Sequence, residues 1–325
     1  MNTQLLNMLR GAAVLMIVIA GCRSADEEPG AEPAAADTTV TLDGIAFRPE
    51  LPDGHRLDTI IREDLNGDGG DELIVTGMRP DSIAPADARA DLLQIYTFDS
   101  LARSYRLALT DSMRWIAGIG FEQLTGDDRP DLVVRINSGG NDEIAARGMS
   151  IYSADGGKIR EIYGTLRGNP VIERGGERKS PLIAVTGQYW PMFLTHAEAI
   201  SYVEDYLVYR DGAFVSARDG ERERYLAGAR NLLGEYAKLR DEHATPPSSA
   251  DSSIAEDTAA AGGAFGAPHP LFVPAARVII QFGLAGAHRP LRSFWDSERE
   301  FLGQRLPAEE FTELEELYGK NLAGG

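Results

Sequence analysis

The residues best placed to do chemistry lie in one short stretch, Asp64-Leu65-Asn66-Gly67-Asp68-Gly69-Gly70-Asp71-Glu72. Oxygen-bearing side chains stand at Asp64, Asn66 and Asp68, at alternate positions, and again at Glu72 beyond the glycines. A hard cation such as Ca2+ gathers about six to eight oxygens at roughly 2.3–2.6 Å. A tight loop with short acidic side chains at every second position can turn several of them onto one centre. Gly67, Gly69 and Gly70 permit the positive φ angles that such a loop needs. Without a cation, the carboxylates of Asp64, Asp68 and Glu72 repel one another at short range. The expected chemistry is structural calcium binding at one site.

Such a loop has to be carried by strands. Leu57–Arg62 before it and Leu73-Ile74-Val75 after it read as strands, the second one buried. The pattern then recurs. Gln123-Leu-Thr125-Gly-Asp127-Asp128-Arg-Pro-Asp131-Leu-Val-Val134 aligns without a gap on Asp64–Val75, 59 residues further on (64 to 123). A strand, Arg114–Phe121, again precedes it. Each loop strand is followed by two more alternating runs, 92–98 and 105–109 in the first unit, 149–152 and 159–163 in the second. The last two are joined by Asp155-Gly156-Gly157, a hairpin signal. Each unit is therefore expected to hold four strands. A third unit follows in 181–185, 202–209 and 213–215, with Asp211-Gly212 as its hairpin turn. Its loop position, Glu173–Ser180, carries Arg174, Arg178 and Lys179, which are wrong for a cation. In the second loop only Asp127 and Asp131 are charged candidates in good places. Gln123 and Thr125 are neutral, so this loop is the weaker metal candidate.

The run Asp64-x-Asn66-Gly67-Asp68-Gly69-x-x-Glu72-Leu73 resembles the FG-GAP/VCBS repeat of bacterial surface proteins and integrin α-type propellers. The resemblance covers about residues 50–217. It implies propeller-blade-like units and a calcium ion held by Asp64, Asn66, Asp68, the Gly70 carbonyl and Glu72. Glu72 stands where the family more often has Asp, and Gly77-Met-Arg-Pro80 only loosely echoes its Gly-Ala-Pro signature.

The N-terminus supplies an address. Arg10 precedes a short apolar run that suits the core of a signal peptide and is short for a membrane span of about 20 residues. Ile19-Ala20-Gly21-Cys22 resembles the bacterial lipobox, and Cys22 is the only cysteine. That resemblance implies cleavage before Cys22 and acylation of it, so that 1–21 is a lipoprotein signal peptide and the membrane is a partner through lipid. Arg23, not Asp, follows the cysteine; by enteric sorting rules the expected place is the cell envelope, leaning to the outer membrane. Residues 22–38 are rich in Ala, Glu and Pro and read as a disordered tether. The formal net charge of −18 argues against a nucleic-acid partner.

After a β-repeat domain at 39–217, residues 218–243 space apolar residues as an amphipathic helix. A Pro/Ser/Ala/Gly-rich linker is expected at 244–270 and a helical segment at 271–325, with Pro307 opening its last helix. The fold class is mostly β with a C-terminal α segment. The helix directly after the last strand is expected to cover an exposed sheet edge, with the Val40–Phe47 strand a further candidate. No Gly-x-Ser-x-Gly, His-Glu-x-x-His or P-loop pattern occurs, and Asp53 and His55 have no evident partner. No catalytic residue is therefore expected. An aromatic insertion at 187–196, with Tyr189, Trp190 and Phe193, could form a ligand surface for a protein or glycan. The expected function is non-catalytic binding or scaffolding at the envelope. The alternative is a periplasmic enzyme or accessory acting on envelope glycans through that insertion.

Overall fold

The computed structural model describes residues 17–18, 39–80, 90–139, 142–174, 181–191, 194, 199–244 and 267–323. Cys22, Phe193 and the linker core at 245–266 lie outside the described residues. The chain is mostly β with C-terminal helices and divides into two compact units.

The first unit comprises 1–139 and 146–167. Its strands are β1 (Ile17–Val18), β2 (Val40–Leu42), β3 (Ile45–Phe47), β4 (Arg56–Glu63), β5 (Glu72–Met78), β6 (Ala90–Asp99), β7 (Ser104–Glu122), β8 (Asp131–Asn137), β9 (Arg147–Asp155) and β10 (Lys158–Thr165). One antiparallel sheet runs β1-β4-β5-β6-β7-β8-β9-β10, with each strand from β4 onward beside its sequence neighbours. The expected last strand of the first repeat and first strand of the second are one 19-residue strand, β7. β6 pairs with residues 104–112 of it, and with Ile116 through Ala90, whereas β8 pairs with 116–122. Four strands therefore gather on each half of β7.

The two halves repeat in register as well as in sequence. Glu63 pairs with Glu72 and Glu122 with Asp131, each 59 residues apart from its counterpart. Even the bulge recurs, between Leu57 and Thr59 and again between Ile116 and Gly118. A bulge adds local twist to a strand.

Strand β5 is buried on both faces. Ile74 packs with Ile61, Leu93 and Ile95, while Leu73 and Val75 pack with Leu42, Phe47 and Tyr96. This is why 73–75 read as an unbroken apolar run and not as an alternation. The second face is covered by the β2–β3 hairpin, with Phe47 edge-on to Tyr96 at 4.9 Å. The Val40–Phe47 strand expected from the sequence is thus two strands. Asp43 and Gly44 at φ 50° and 78° turn the chain back, as Asp-Gly favours. Strand β1 falls inside the expected signal peptide and pairs with β4, Ile17 opposite Ile60.

The second unit comprises 140–145 and 168–325. It holds β11 (Val171–Glu173), β12 (Leu182–Tyr189), β13 (Ile200–Arg210) and β14 (Ala213–Ser216), an antiparallel sheet in that order. After the short α1 (Glu143–Ala146), its helices are α2 (Arg222–Glu242), α3 (Phe272–Leu284), α4 (His288–Arg305) and α5 (Ala308–Ala323). The expected 39–217 domain is therefore divided, with its third sheet grouped with the helices. The reason is burial: Ile200, Tyr206 and Val208 of β13 share one core with Val278, Ile279 and Phe282 of α3. Helix α3 packs against β13, a central strand, so its cover lies on the sheet face. The amphipathic α2 that directly follows β14 joins it at its first turn, with the Tyr225 ring 5.1 Å from Tyr206 of β13 and Arg224 paired with Glu173 of the edge strand β11. Helix α3 can serve because it is apolar on most sides and packs also on α2 and α5. Among the described residues no helix is long and apolar enough to cross a membrane.

Candidate functional site

The first acidic loop joins β4 to β5, and its hydrogen bonds start from Glu72, only 1 % exposed. Its carboxylate accepts the N–H groups of Leu65 at 2.9 Å and Asn66 at 3.3 Å, and the Asn66 amide at 2.7 Å. Asp64 accepts from the N–H groups of Gly67 at 2.8 Å and Gly69 at 3.0 Å. The Asn66 side chain accepts from the Asp68 N–H, and Asp68 from the Gly70 N–H, both at 2.8 Å. Gly67 and Gly69 take φ of 75° and 86°, the left-handed conformation the tight turn demands. Burial pushes the Glu72 carboxyl up to about 7, and the charges of Asp68 and Asp64 push the same way against the two backbone N–H groups.

The second loop, between β7 and β8, repeats this scheme with one change of charge. Asp131 takes the place of Glu72, accepting from the N–H groups of Leu124 at 2.8 Å and Thr125 at 3.1 Å. Gly126 and Asp128 take the positive φ of Gly67 and Gly69, at 82° and 61°. Arg129 then supplies a cation where the first loop has Gly70. Its Nε donates to Asp127 at 2.9 Å, and its Nη2 donates to the same carboxylate. Burial raises the Asp127 carboxyl, but the Arg129 guanidinium outweighs it and holds the group below the usual carboxylate range. A guanidinium thus stands beside a candidate ligand, which weakens Asp127 further as a metal residue. The stem of Arg129 also lies over Gly67, where a Cβ would come within 3.2 Å of its Cδ, so the two loops are adjacent.

In the third sheet, Glu173 pairs with Leu182 as Glu63 pairs with Glu72. The buried carboxylate that organises the first two loops is here a buried leucine. No alternation of charge signals that loss; only the alignment of pairing positions does.

Among the described residues no three His, Cys, Asp or Glu side chains are grouped to hold a metal ion. The first-loop set fits calcium in kind, since it adds an amide oxygen and a backbone carbonyl to three carboxylates, and Glu72 sits under uncompensated negative charge.

The aromatic candidates divide. The Tyr189 hydroxyl donates to the Glu313 carboxylate, and its ring packs on the helical core. Trp190 is 43 % exposed, and its indole N–H donates to the Leu194 carbonyl at 2.9 Å. His55 does have a neighbour that the sequence hid: its Nε2 lies 3.3 Å from an Asp91 oxygen and 3.4 Å from Arg79 Nε.

No protein-family model matches the chain, and no curated protein or solved structure matches it either.

Proposed function

We propose that the chain is a cell-envelope lipoprotein, anchored through lipid on Cys22. Its first unit is an FG-GAP-like repeat pair stabilised by one Ca2+, and its role is non-catalytic binding or scaffolding. The observation that carries the reading is the buried carboxylate at the ninth loop position. In both loops it gathers the same two backbone N–H groups at the same register, and in the first loop Arg62 pairs with Asp71 at 2.8 Å, while Asp64 and Asp68 add negative charge beside Glu72. Asp64, Asn66, Asp68, the Gly70 carbonyl and Glu72 would hold the ion. When bound, it supplies positive charge at the centre of the turn and no chemistry of turnover. The four strands on each half of β7 are read as blade-like units, with β7 common to both. Processing before Cys22 would remove β1 and leave β4 as the sheet edge.

The test is thermal melting of the purified chain. Millimolar Ca2+ should raise the melting temperature by about 2–4 °C at roughly ten times its dissociation constant, and chelator should reverse this. Mg2+ should substitute poorly, because it demands octahedral geometry and gives up water reluctantly. A curve indifferent to both calcium and chelator would leave the loop as a plain acidic turn. A pulldown from envelope extract then addresses the ligand, with Trp190→Ala as the control for the aromatic insertion.

A further inference from the structure

The second unit contains a cavity of about 480 Å³ where the turn before α2 meets the ends of α3 and α5. Arg218, Arg222 and Lys320 line it, opposed by one carboxylate, Asp219. That is an excess of cations in a chain of net charge −18. We propose that this cavity binds a small dianion, a phosphate monoester carrying a hydroxyl or amine that Asp219 can accept from.

Two observations support it. The volume falls within the range of about 300–1,000 Å³ usual for small-molecule sites. Two of the three cations are only loosely engaged: Arg222 is 3.7 Å from its sequence neighbour Glu223 and Lys320 is 3.5 Å from Glu316 one helical turn away, whereas Arg218 is held in place by donating to the Glu204 carbonyl at 2.9 Å. Elsewhere in the unit, Arg224 is held by Glu173 at 2.6 Å, Arg240 by Glu298 at 2.7 Å and Arg299 by Glu315 at 2.6 Å. Exposed pairs such as those at the cavity contribute little and exchange readily for a ligand. Two arginines present planar forks that match phosphate oxygens, and the lysine adds a point charge.

A rival role for the same cations is to complement the C-terminus of α3, which has no basic residue in its own last turn. The experiment separates the two. The full chain is titrated with inorganic phosphate and with glycerol 3-phosphate by calorimetry and by melting, against KCl of equal ionic strength. The proposal expects one site per chain, a rise of about 2–4 °C at roughly ten times the dissociation constant, and tighter binding of the ester. Arg222→Gln with Lys320→Gln should weaken binding at least about tenfold, and Arg222→Lys should retain most of it. Both side chains are more than half exposed, so the variants keep the core intact. Dihexanoyl phosphatidic acid as a third probe tells a lipid headgroup from a free ester by which of the two binds more tightly. No response beyond the KCl control, or an equal response in the double variant, overturns the proposal. A melting temperature that falls in the double variant without phosphate, with no phosphate effect in either protein, assigns the cations to α3 instead.

Discussion

Replacing Glu72 with Gln should invert the stability order of variant and parent between pH 4 and pH 8. Glu72 titrates near 7 in the folded chain against an ordinary 4.5, so the folded state holds its proton where the unfolded state has lost it. Stability from this group is complete below about pH 4.5 and is lost as pH rises through 7. Two to three units at about 1.4 kcal/mol each come to roughly 3 kcal/mol. Gln cannot ionise, and its amide oxygen can still accept from the N–H groups of Leu65 and Asn66. Its NH2, however, meets the Asn66 amide nitrogen, which now donates to Glu72 at 2.7 Å. Asn66 must flip, and the Asp68 N–H then loses its acceptor, at a cost of about 1 kcal/mol. In chelator, the variant should be less stable than the parent by about 1 kcal/mol at pH 4, where the parent's contribution is still intact, and more stable by about 2 kcal/mol at pH 8. Urea unfolding followed by circular dichroism at the two pH values measures both. Glu63, also raised by burial and by Asp71 and Asp64, contributes to both proteins and drops out of the difference. A difference independent of pH, or a variant weaker at both, would refute the buried-charge reasoning.

Asp64→Ala should remove most of the calcium response in melting experiments while Asp127→Ala keeps it, because Asp127 already has the Arg129 guanidinium. Gly148→Ala should lower the melting temperature by about 5–10 °C, since its Cβ would lie 2.2 Å from the Thr165 carbonyl oxygen and the backbone must give way. Cys22→Ala should leave an unprocessed precursor that takes up no labelled palmitate; equal labelling of mutant and parent would rule out the lipid anchor.

The strands and the repeat were legible because their cause is local. Alternation, Asp-Gly turns and the 59-residue recurrence predict β4, β5, β8, β9 and β10 to within a few residues. The helices followed from apolar spacing, with Pro307 marking the start of α5. Asp43-Gly44 carries the same hairpin signal as Asp211-Gly212, but strands of only three residues on either side are too short to show an alternation. The continuity of β7 was hidden because Thr110-Asp111-Ser112 looks like a break, yet those residues pair with β6. At the site, the acidic positions could be read from spacing alone. The roles of Arg129 and Asp91 could not, since a cation beside a carboxylate and a pair between β6 and the turn before β4 are fixed by tertiary packing. The grouping of the third sheet with the helices was equally invisible, because either partner could cover the same apolar face.

Strand β7 also decides how the first unit comes apart. The halves of a shared strand have no turn between them, and the two repeats share one core in which Ile74 and Leu93 join Leu132 and Val134, so opening the first strips cover from the second. Opening should therefore be a single cooperative event over β4–β10, in the manner of repeats whose stability is dominated by their common interface. An ion gripped by residues 64–72 would then slow hydrogen exchange at amides of β8 and β9, which it never touches. A cut in the middle of β7 would destroy both repeats at once, so the pair behaves as the smallest piece of this sheet able to stand alone.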